Sequence, residues 1–411
     1  MIFDSFYPER RLLGYPPLEA KYGLPQHVQF CTRCVMSNQR PSSTREFSHV
    51  ADSKKETIHF DAEGVCDACR VAEKKASTDW AQREASLADL LSRHRSKTGS
   101  FDCLVPGSGG KDSFYAAHIL KTKFGMHPLT VTWAPHLYTD WGRRNHDRWL
   151  AAGFSNLLYT PNPRIHRLLT RLAVDNLFHP FQPFIIGQKA MAPRMAATLG
   201  IPLVFYGENE AEYAGGANAA LRGSQFHSGT HRLHLGGVST DELRQKHGLS
   251  DADLDPYMPA NPALLEQKKV EVHYLGYYLK WHPQSAYYYA VEHGGFEPSP
   301  ERTPGTYSKY NSIDDKMDDL HYYTTWIKFG IGRATYDAAQ EIRSGDITRD
   351  EGVALVHRFD GEWPGRFENE LFEYLSVPQF PRMDRAHFLS IAERFKSPHL
   401  WDGDRLRHVV S

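Results

Sequence analysis

The sequence predicts an α/β protein. A parallel sheet with helices on both faces is expected, with a four-cysteine metal-binding module before it and a mainly helical carboxy-terminal region after it. Three observations predict this. Short apolar runs alternate with helix-patterned segments from residue 101 to residue 206, as in sheets whose strands are buried on both faces. Four of the five cysteines fall into two CxxC pairs. Beyond residue 286, glycine turns separate short amphipathic stretches. The 411 residues divide into an extension (1–28), a cysteine module (29–75), the α/β domain (96–285) and the helical region (286–411). Lys plus Arg number 48 and Asp plus Glu 49, a balance that argues against a surface coated by nucleic acid. No apolar run reaches the roughly 18–20 residues that span a bilayer, and Met1–Arg11 mixes acidic and basic residues without an apolar stretch. A cytoplasmic location is expected.

The cysteine pairs are Cys31-Thr-Arg-Cys34 and Cys66-Asp-Ala-Cys69. A CxxC knuckle aims two thiolates at one ion, and two knuckles complete a closed tetrahedral shell. Structural zinc is the expected occupant, and an iron site or a redox dithiol is the rival. Gly64 suits the tight turn before the second knuckle. The segment between the pairs is polar and rich in Ser, so metal rather than a core is expected to order it.

Phe101–Pro106 reads as a strand and Phe114–Phe124 as a helix, with Lys121 and Lys123 near its end and Gly125 as its cap. Between them lies Gly107-Ser-Gly-Gly-Lys-Asp-Ser113. A strand, a glycine turn and a helix N-terminus make an anion site, because backbone N–H groups approach phosphate oxygens where the helix dipole favours negative charge. Gly109 and Gly110 allow the approach, and Ser108 and Ser113 add hydroxyls. Lys111 adds a cation, and Asp112 could hold a magnesium-bound water. Neither the Walker A spacing nor GxGxxG is present.

Strands are expected at Leu129–Trp133, Asn156–Tyr159 and Ile201–Tyr206. Helices are expected at Trp141–Ala152, Pro163–Asn176 and Gly187–Leu199, the last capped by Gly200. Ligands of such sheets bind beyond the carboxyl ends of the strands, here Pro106-Gly107, Trp133-Ala134 and Gly207-Glu-Asn-Glu210. Glu208, Glu210 and Glu212 read either as carboxylates for Mg²⁺ or as acids of a solvated loop. Gln188 and Lys189 are phosphate or substrate candidates, or part of a surface turn.

Residues 223–262 read as a variable loop or lid. His227, His231 and His234 cluster there without helical spacing, and none is assigned to metal. Val270–Trp281 is dense in aromatics. Thr303–Tyr310 reads as a loop near a substrate mouth. Ser312 is expected to cap a helix over Ile313–Phe329. Asp314 and Asp315 then fall in its first turn, and Asp314, Asp315, Asp318 and Asp319 serve helix electrostatics rather than a metal. Lys328-Phe-Gly-Ile-Gly-Arg333 breaks the helix. Its two cations either meet an anionic phosphate or uronate or complement a helix C-terminus. Short helices follow at Thr335–Arg343, Thr348–Phe359 and Arg366–Tyr374. Cys103, inside an apolar strand, is expected to be inert packing.

The Ser-Gly-Gly-Lys-Asp-Ser string resembles the pyrophosphate (PP) loop of the adenine nucleotide alpha hydrolase-like ATP pyrophosphatases, which cleave ATP between its α and β phosphates. That resemblance implies that the backbone near Thr132 and Trp133 reads the adenine edge, although Trp133 equally fits a core position. The knuckles, the loop, Gly-Glu-Asn-Glu with Glu-Tyr-Ala-Gly-Gly, and Ser-Ile-Asp-Asp-Lys through Lys-Phe-Gly-Ile-Gly-Arg together resemble the N-acetyl sugar amidotransferase family over residues 28–375. Members act in bacterial surface-polysaccharide and nonulosonic-acid pathways.

The resemblance implies ATP-dependent conversion of an acetamido group on a nucleotide-linked sugar to an acetamidino group, releasing AMP and pyrophosphate. It implies ATP, Mg²⁺ and structural Zn²⁺ as cofactors. Lys111, Asp112 and Glu208 take catalytic roles, and Gln188, Glu210, Glu212, Lys328 and Arg333 are substrate candidates. A glutaminase needs a nucleophilic cysteine; four are assigned to metal and Cys103 reads as inert packing, so a separate glutaminase subunit, with or without an ammonia-channelling subunit, is the expected partner. The alternatives are a tRNA sulfurtransferase, which the near-neutral charge and single spare cysteine disfavour, and a non-catalytic nucleotide-binding zinc scaffold.

Overall fold

In the computed structural model, residues 17–42, 46–207 and 233–411 are described. Five strands form one sheet: β1 (Cys103–Pro106), β2 (Pro128–Trp133), β3 (Ser155–Tyr159), β4 (Leu203–Tyr206) and β5 (Glu271–Tyr274). Their order is β3-β2-β1-β4-β5, and every pairing is parallel. Cys103 stands opposite Pro128 on one side and Leu203 on the other. Side chains alternate across a pleated strand. Cys103, Val105, Leu203 and Phe205 therefore pack with Phe114, Ala117 and Leu120 on one face. Leu104, Val204, Leu129 and Val131 pack with Leu168, Leu169, Ala192 and Ala196 on the other. Both faces are covered, which is why the strands read as unbroken apolar runs.

Six helices accompany this part of the chain: α1 (Asp67–Ala76), α2 (Trp80–His94), α3 (Lys111–Thr122), α4 (Asp140–Ala151), α5 (Pro163–Leu177) and α6 (Gln182–Leu199). After β3 the chain returns past β1 to place β4 on its far side. The order thus reverses between β1 and β4, and the carboxyl ends of these two strands flank the crevice where ligands of such sheets bind.

Further along the chain come α7 (Thr240–His247), which packs on the sheet domain, and then α8 (Pro283–Gly294), α9 (Asp318–Phe329), α10 (Arg333–Ser344), α11 (Arg349–Phe359), α12 (Glu368–Leu375) and α13 (Arg385–Phe395). None of the described helices is long and apolar enough to cross a membrane.

Four expectations need correction. α3 starts at Lys111, not Phe114, with Gly110 extended at its N-cap, so the glycine loop runs straight into the first helical turn. The lid expected over 223–262 is not one where it is described. From residue 233 onward, Leu235, Leu243, Leu254 and Tyr257 are buried in the core beside α5 and α6, and Ser239 caps α7 through the Glu242 N–H.

The helix expected from Ile313 begins instead at Asp318. Tertiary bonds hold the preceding turn: Asp315 accepts from the backbone of His136, Leu137 and Met317, at 2.7, 3.2 and 3.0 Å, and Thr139 donates its hydroxyl to the Ile313 carbonyl at 2.6 Å. Finally, the segment between the knuckles is packed into a core that it shares with the carboxy-terminal helices. Val35, Met36, Ile58 and Val65 are buried and join the cysteines in one cluster with Ile327, Ala338 and Val356 of the carboxy-terminal helices.

Candidate functional site

The glycine loop sits at the carboxyl end of β1, against that of β4. Gly109 has φ +87°, and a Cβ there would lie 2.9 Å from the Asn145 carbonyl oxygen. A side chain is excluded both by the left-handed backbone and by the approach of α4. A Cβ on Gly207, just past β4, would stand 2.5 Å from the Asp112 carbonyl oxygen, so the two strand ends pack backbone to backbone. Lys111 is buried, and its Nζ lies 2.6 Å from Asp112 Oδ2. Asp112 Oδ1 accepts from Trp281 Nε1 at 2.9 Å. Ser113 donates its hydroxyl to the Gly110 carbonyl at 3.0 Å. These bonds fix the side chains of the first turn of α3, while the loop amides sit at a helix N-terminus.

The loop opens into a cavity of about 620 Å³. Ser108, Gly110, Lys111, Asp112, Ser113 and Gly207 form one wall. Met36 and Arg40, which follow the first knuckle, form part of another. Asp314, Asp318 and His321 come from α9 and the turn before it, and Arg333, Tyr336, Asp337, Gln340 and Arg343 come from α10. The α10 residues recur at helical spacing, so this helix turns a polar face inward. Burial lifts the Asp314 carboxyl above its usual range, although a bond with Ser108 works against it. Burial likewise pushes Asp318 well up and His321 well down. Each shift favours the uncharged form, as expected where water is scarce.

Among the residues picked out from sequence, Ser108, Gly110, Lys111, Asp112, Ser113, Trp133, Gln188 and Arg333 line this cavity. Gly109 shapes the loop from behind. The Thr132 side chain is fully buried in the sheet, where its Oγ1 accepts from Asn156 Nδ2 at 3.0 Å, which leaves only its backbone for the role expected of it. Two readings change. Lys328 is buried away from the cavity and donates to the Leu177 carbonyl at 2.7 Å. The acidic cluster divides: Asp318 and Asp319 open α9, whereas Asp315 fastens the turn before it and also holds His136 Nδ1 at 2.7 Å, and Asp319 also binds Arg366 through both oxygens at 3.0 and 3.2 Å. Glu208, Glu210, Glu212, His227 and His231 lie outside the described residues. Sequence reasoning missed Arg40, Tyr336, Asp337, Gln340 and Arg343. The polar repeat across α10 was a readable signal, whereas nothing local marked Arg40.

The four cysteines converge. Their sulfurs all lie within 4.8 Å of one another, and the Cys31–Cys69 and Cys34–Cys66 separations are each 3.8 Å. Four thiolates around one ion at about 2.3 Å require edges of roughly 3.8 Å, so the donor set fits a single tetrahedral metal. The Arg33, Cys34 and Cys66 N–H groups point at Cys31 Sγ from 3.4, 3.5 and 3.4 Å, which favours its thiolate form. Cys103 is buried in β1, and burial followed by the neighbouring Asp102 pushes its thiol well above the ordinary range. It has none of the features of a nucleophile.

Residues 304–410 match the family model for "LPS biosynthesis protein WbpG-like, C-terminal domain". The carboxy-terminal region is thus a WbpG-like domain, in line with the resemblance read from the sequence. The chain is 29% identical over 83 residues to "Uncharacterized protein MJ1599" of Methanocaldococcus jannaschii, which is 20% of this chain and 29% of that protein. The chain therefore spans under a third of the curated relative it matches. Solved structures resemble it only distantly. NMN synthetase from Francisella tularensis has a TM-score of 0.32 and 10% identity, covering 74% of this chain and 100% of the other. The U34-tRNA thiolase NcsA from Methanococcus maripaludis, solved with its [4Fe-4S] cluster, has a TM-score of 0.29 and 11% identity, covering 81% and 89%. A predicted subunit of a tRNA methyltransferase from Methanocaldococcus jannaschii has a TM-score of 0.27 and 15% identity, covering 52% and 83%. Likeness at this level says nothing of what this chain binds or does.

Proposed function

We propose that this chain is an ATP-dependent, AMP-forming amidotransferase that converts the acetamido group of a nucleotide-linked sugar into an acetamidino group during lipopolysaccharide biosynthesis. The carrying observation is the loop from Gly107 to Ser113, which stands at the strand-order reversal and opens into a polar cavity of about 620 Å³. The WbpG-like domain, which supplies the α10 wall, supports the surface-polysaccharide setting.

An amide carbonyl is a poor electrophile and its oxygen a poor leaving group. Attack of that oxygen on the α-phosphorus of ATP expels pyrophosphate and leaves an O-adenylyl imidate. Ammonia adds to the imidate carbon, AMP departs with the former amide oxygen, and the amidine retains the new nitrogen. Such transfers depend on positioning and charge stabilisation more than on a protein nucleophile. In this reading the loop amides and Ser108 hold the departing pyrophosphate, and Lys111 balances its charge. Gln188 and Arg333 orient the acceptor, and Trp133 borders the adenine. A bound Mg²⁺ would neutralise phosphate charge. Asp112, in the first turn of α3 at the loop, has the oxygen chemistry to hold it, and Glu208 and Glu210 are further candidates. Cys31, Cys34, Cys66 and Cys69 would hold zinc in a closed, structural shell. Because Cys103 is inert, ammonia is delivered by a separate glutaminase.

The test is product analysis. Incubation with ATP, an ammonium salt and candidate nucleotide-linked N-acetyl sugars should yield AMP, pyrophosphate and a sugar in which O is replaced by NH, while glutamine alone should not support turnover. ADP and orthophosphate as products, or sulfur incorporation into tRNA instead, would defeat the reading.

A further inference from the structure

Three guanidinium groups of the cavity keep buried N–H donors that no hydrogen bond uses. Arg40 is 6% exposed and Arg333 2% exposed, and Arg343 is half-buried. Arg40 Nη1, Arg333 Nε and Nη1, and Arg343 Nη1 are buried without a hydrogen-bond partner among the described residues. Buried polar atoms are nearly always bonded, and a buried cation without an anion costs more than any other orphan. Burial, and after it the nearby Arg343, lowers the pKa of Arg40. Arg40 lies 5.5 Å from the Tyr336 ring centroid and Arg333 4.0 Å from that of Tyr322, so aromatic side chains flank both guanidinium groups while the orphaned N–H groups stay without an acceptor.

The neighbouring carboxylates do not resolve this. Asp337 Oδ2 pairs with Arg333 Nε at 3.6 Å, too far for a hydrogen bond, so Nε and Nη1 keep no acceptor. Asp319 is taken by Arg366. Burial pushes Asp318 well above the carboxylate range even beside Arg333. The bond that Arg333 does make runs to the Asn311 carbonyl.

We propose that Arg40, Arg333 and Arg343 form a second anion subsite, separate from the glycine loop, that receives an oxyanion of the acceptor: its diphosphate bridge or a sugar carboxylate. The two share planar or tetrahedral oxygen atoms that guanidinium forks bind in pairs. The inference rests on the amidotransferase reading for the word "acceptor"; the subsite itself rests on the three side chains. It also gives the metal module a part in the cavity, because Arg40 follows Cys34 by six positions on a segment packed into the cysteine core.

The experiment measures binding by calorimetry to the full-length, metal-loaded chain. The probes are α,β-methylene-ATP with Mg²⁺, UDP, UDP-glucose and UDP-glucuronate. Arg343→Gln, the least buried of the three substitutions, should bind at least one uridine probe about tenfold to a hundredfold more weakly and bind α,β-methylene-ATP as the unaltered chain does. Arg343→Lys should recover part of the loss, and an unchanged thermal midpoint establishes that the fold is intact. Loss with all three uridine probes assigns the diphosphate; loss confined to UDP-glucuronate assigns the carboxylate. The proposal is overturned if the unaltered chain binds none of the uridine probes, if Arg343→Gln binds them undiminished, or if it loses the ATP analogue equally, which would put the arginines on the nucleotide. Failure of the unaltered chain to bind α,β-methylene-ATP would instead sink the ATP reading, while the uridine arm still decides the subsite.

Discussion

The loop wall of the cavity runs through consecutive residues, Gly107 to Ser113, between a strand and the helix it enters. The opposing arginine wall draws Arg40 from the cysteine module and Arg333 and Arg343 from α10. In the first wall the backbone supplies the donors, and a short motif is enough to set their direction. In the second the donors are long side chains, whose position depends on every element that packs beneath them. The two walls should therefore fail in different ways.

The largest effect is expected at the metal. Cys66→Ser should lose bound zinc and lower the thermal midpoint sharply, since structural zinc contributes on the order of 10 kcal/mol in small domains and here shares its core with Ile327, Ala338 and Val356. Metal analysis beside thermal unfolding checks this. A variant with full metal content would contradict the four-cysteine assignment.

Next comes Lys111→Ala, expected to lower turnover about 10²–10³-fold with little change in stability. Unchanged turnover would remove Lys111 from the phosphate role and break the contrast between the walls.

Acid should loosen the arginine wall selectively. His399 Nε2 donates to Gln39 Oε1 at 3.0 Å, beside Arg40, and its Nδ1 accepts from the Ser397 hydroxyl at 2.7 Å. Burial, then His408, lowers its pKa from 6.5 to about 4. The folded form thus keeps His399 neutral while the unfolded chain takes up a proton near 6.5. Stability is fully present above that pH and is lost as pH falls through about 4. Thermal midpoints measured across this window should fall, and His399→Gln should flatten the fall. An identical slope in the variant would exclude His399 as a contributor.

The smallest effect is expected at Thr132→Val. Loss of the Asn156 bond should cost about 1 kcal/mol of stability, read by urea unfolding, without changing turnover. A large fall in turnover would return Thr132 to the nucleotide site.

How far the sequence carried depended on how local each feature was. The alternating sheet, the knuckles and the loop were legible because each is set by short-range spacing: unbroken apolar runs of strand length, two residues between thiolates, glycines before a helix. The helix expected at Ile313 shows where locality ends. Ser312 and the acids after it had the composition of a helix start, but bonds to His136, Leu137 and Thr139 claimed that turn. Lys328 shows the same limit: flanking glycines suggested a ligand-facing cation, and packing buried it against Leu177.

By itself, then, the sequence determined the class of fold, the glycine turn at a helix N-terminus and the convergence of the four thiolates, because backbone geometry and ligand spacing are properties of neighbours in the chain. Tertiary structure alone decided that α10 turns its polar face inward, that Arg40 reaches the same cavity, and that three guanidinium groups are left facing it. Burial removes water from a charge only when distant segments close around it, and no short stretch of sequence records which segments those are.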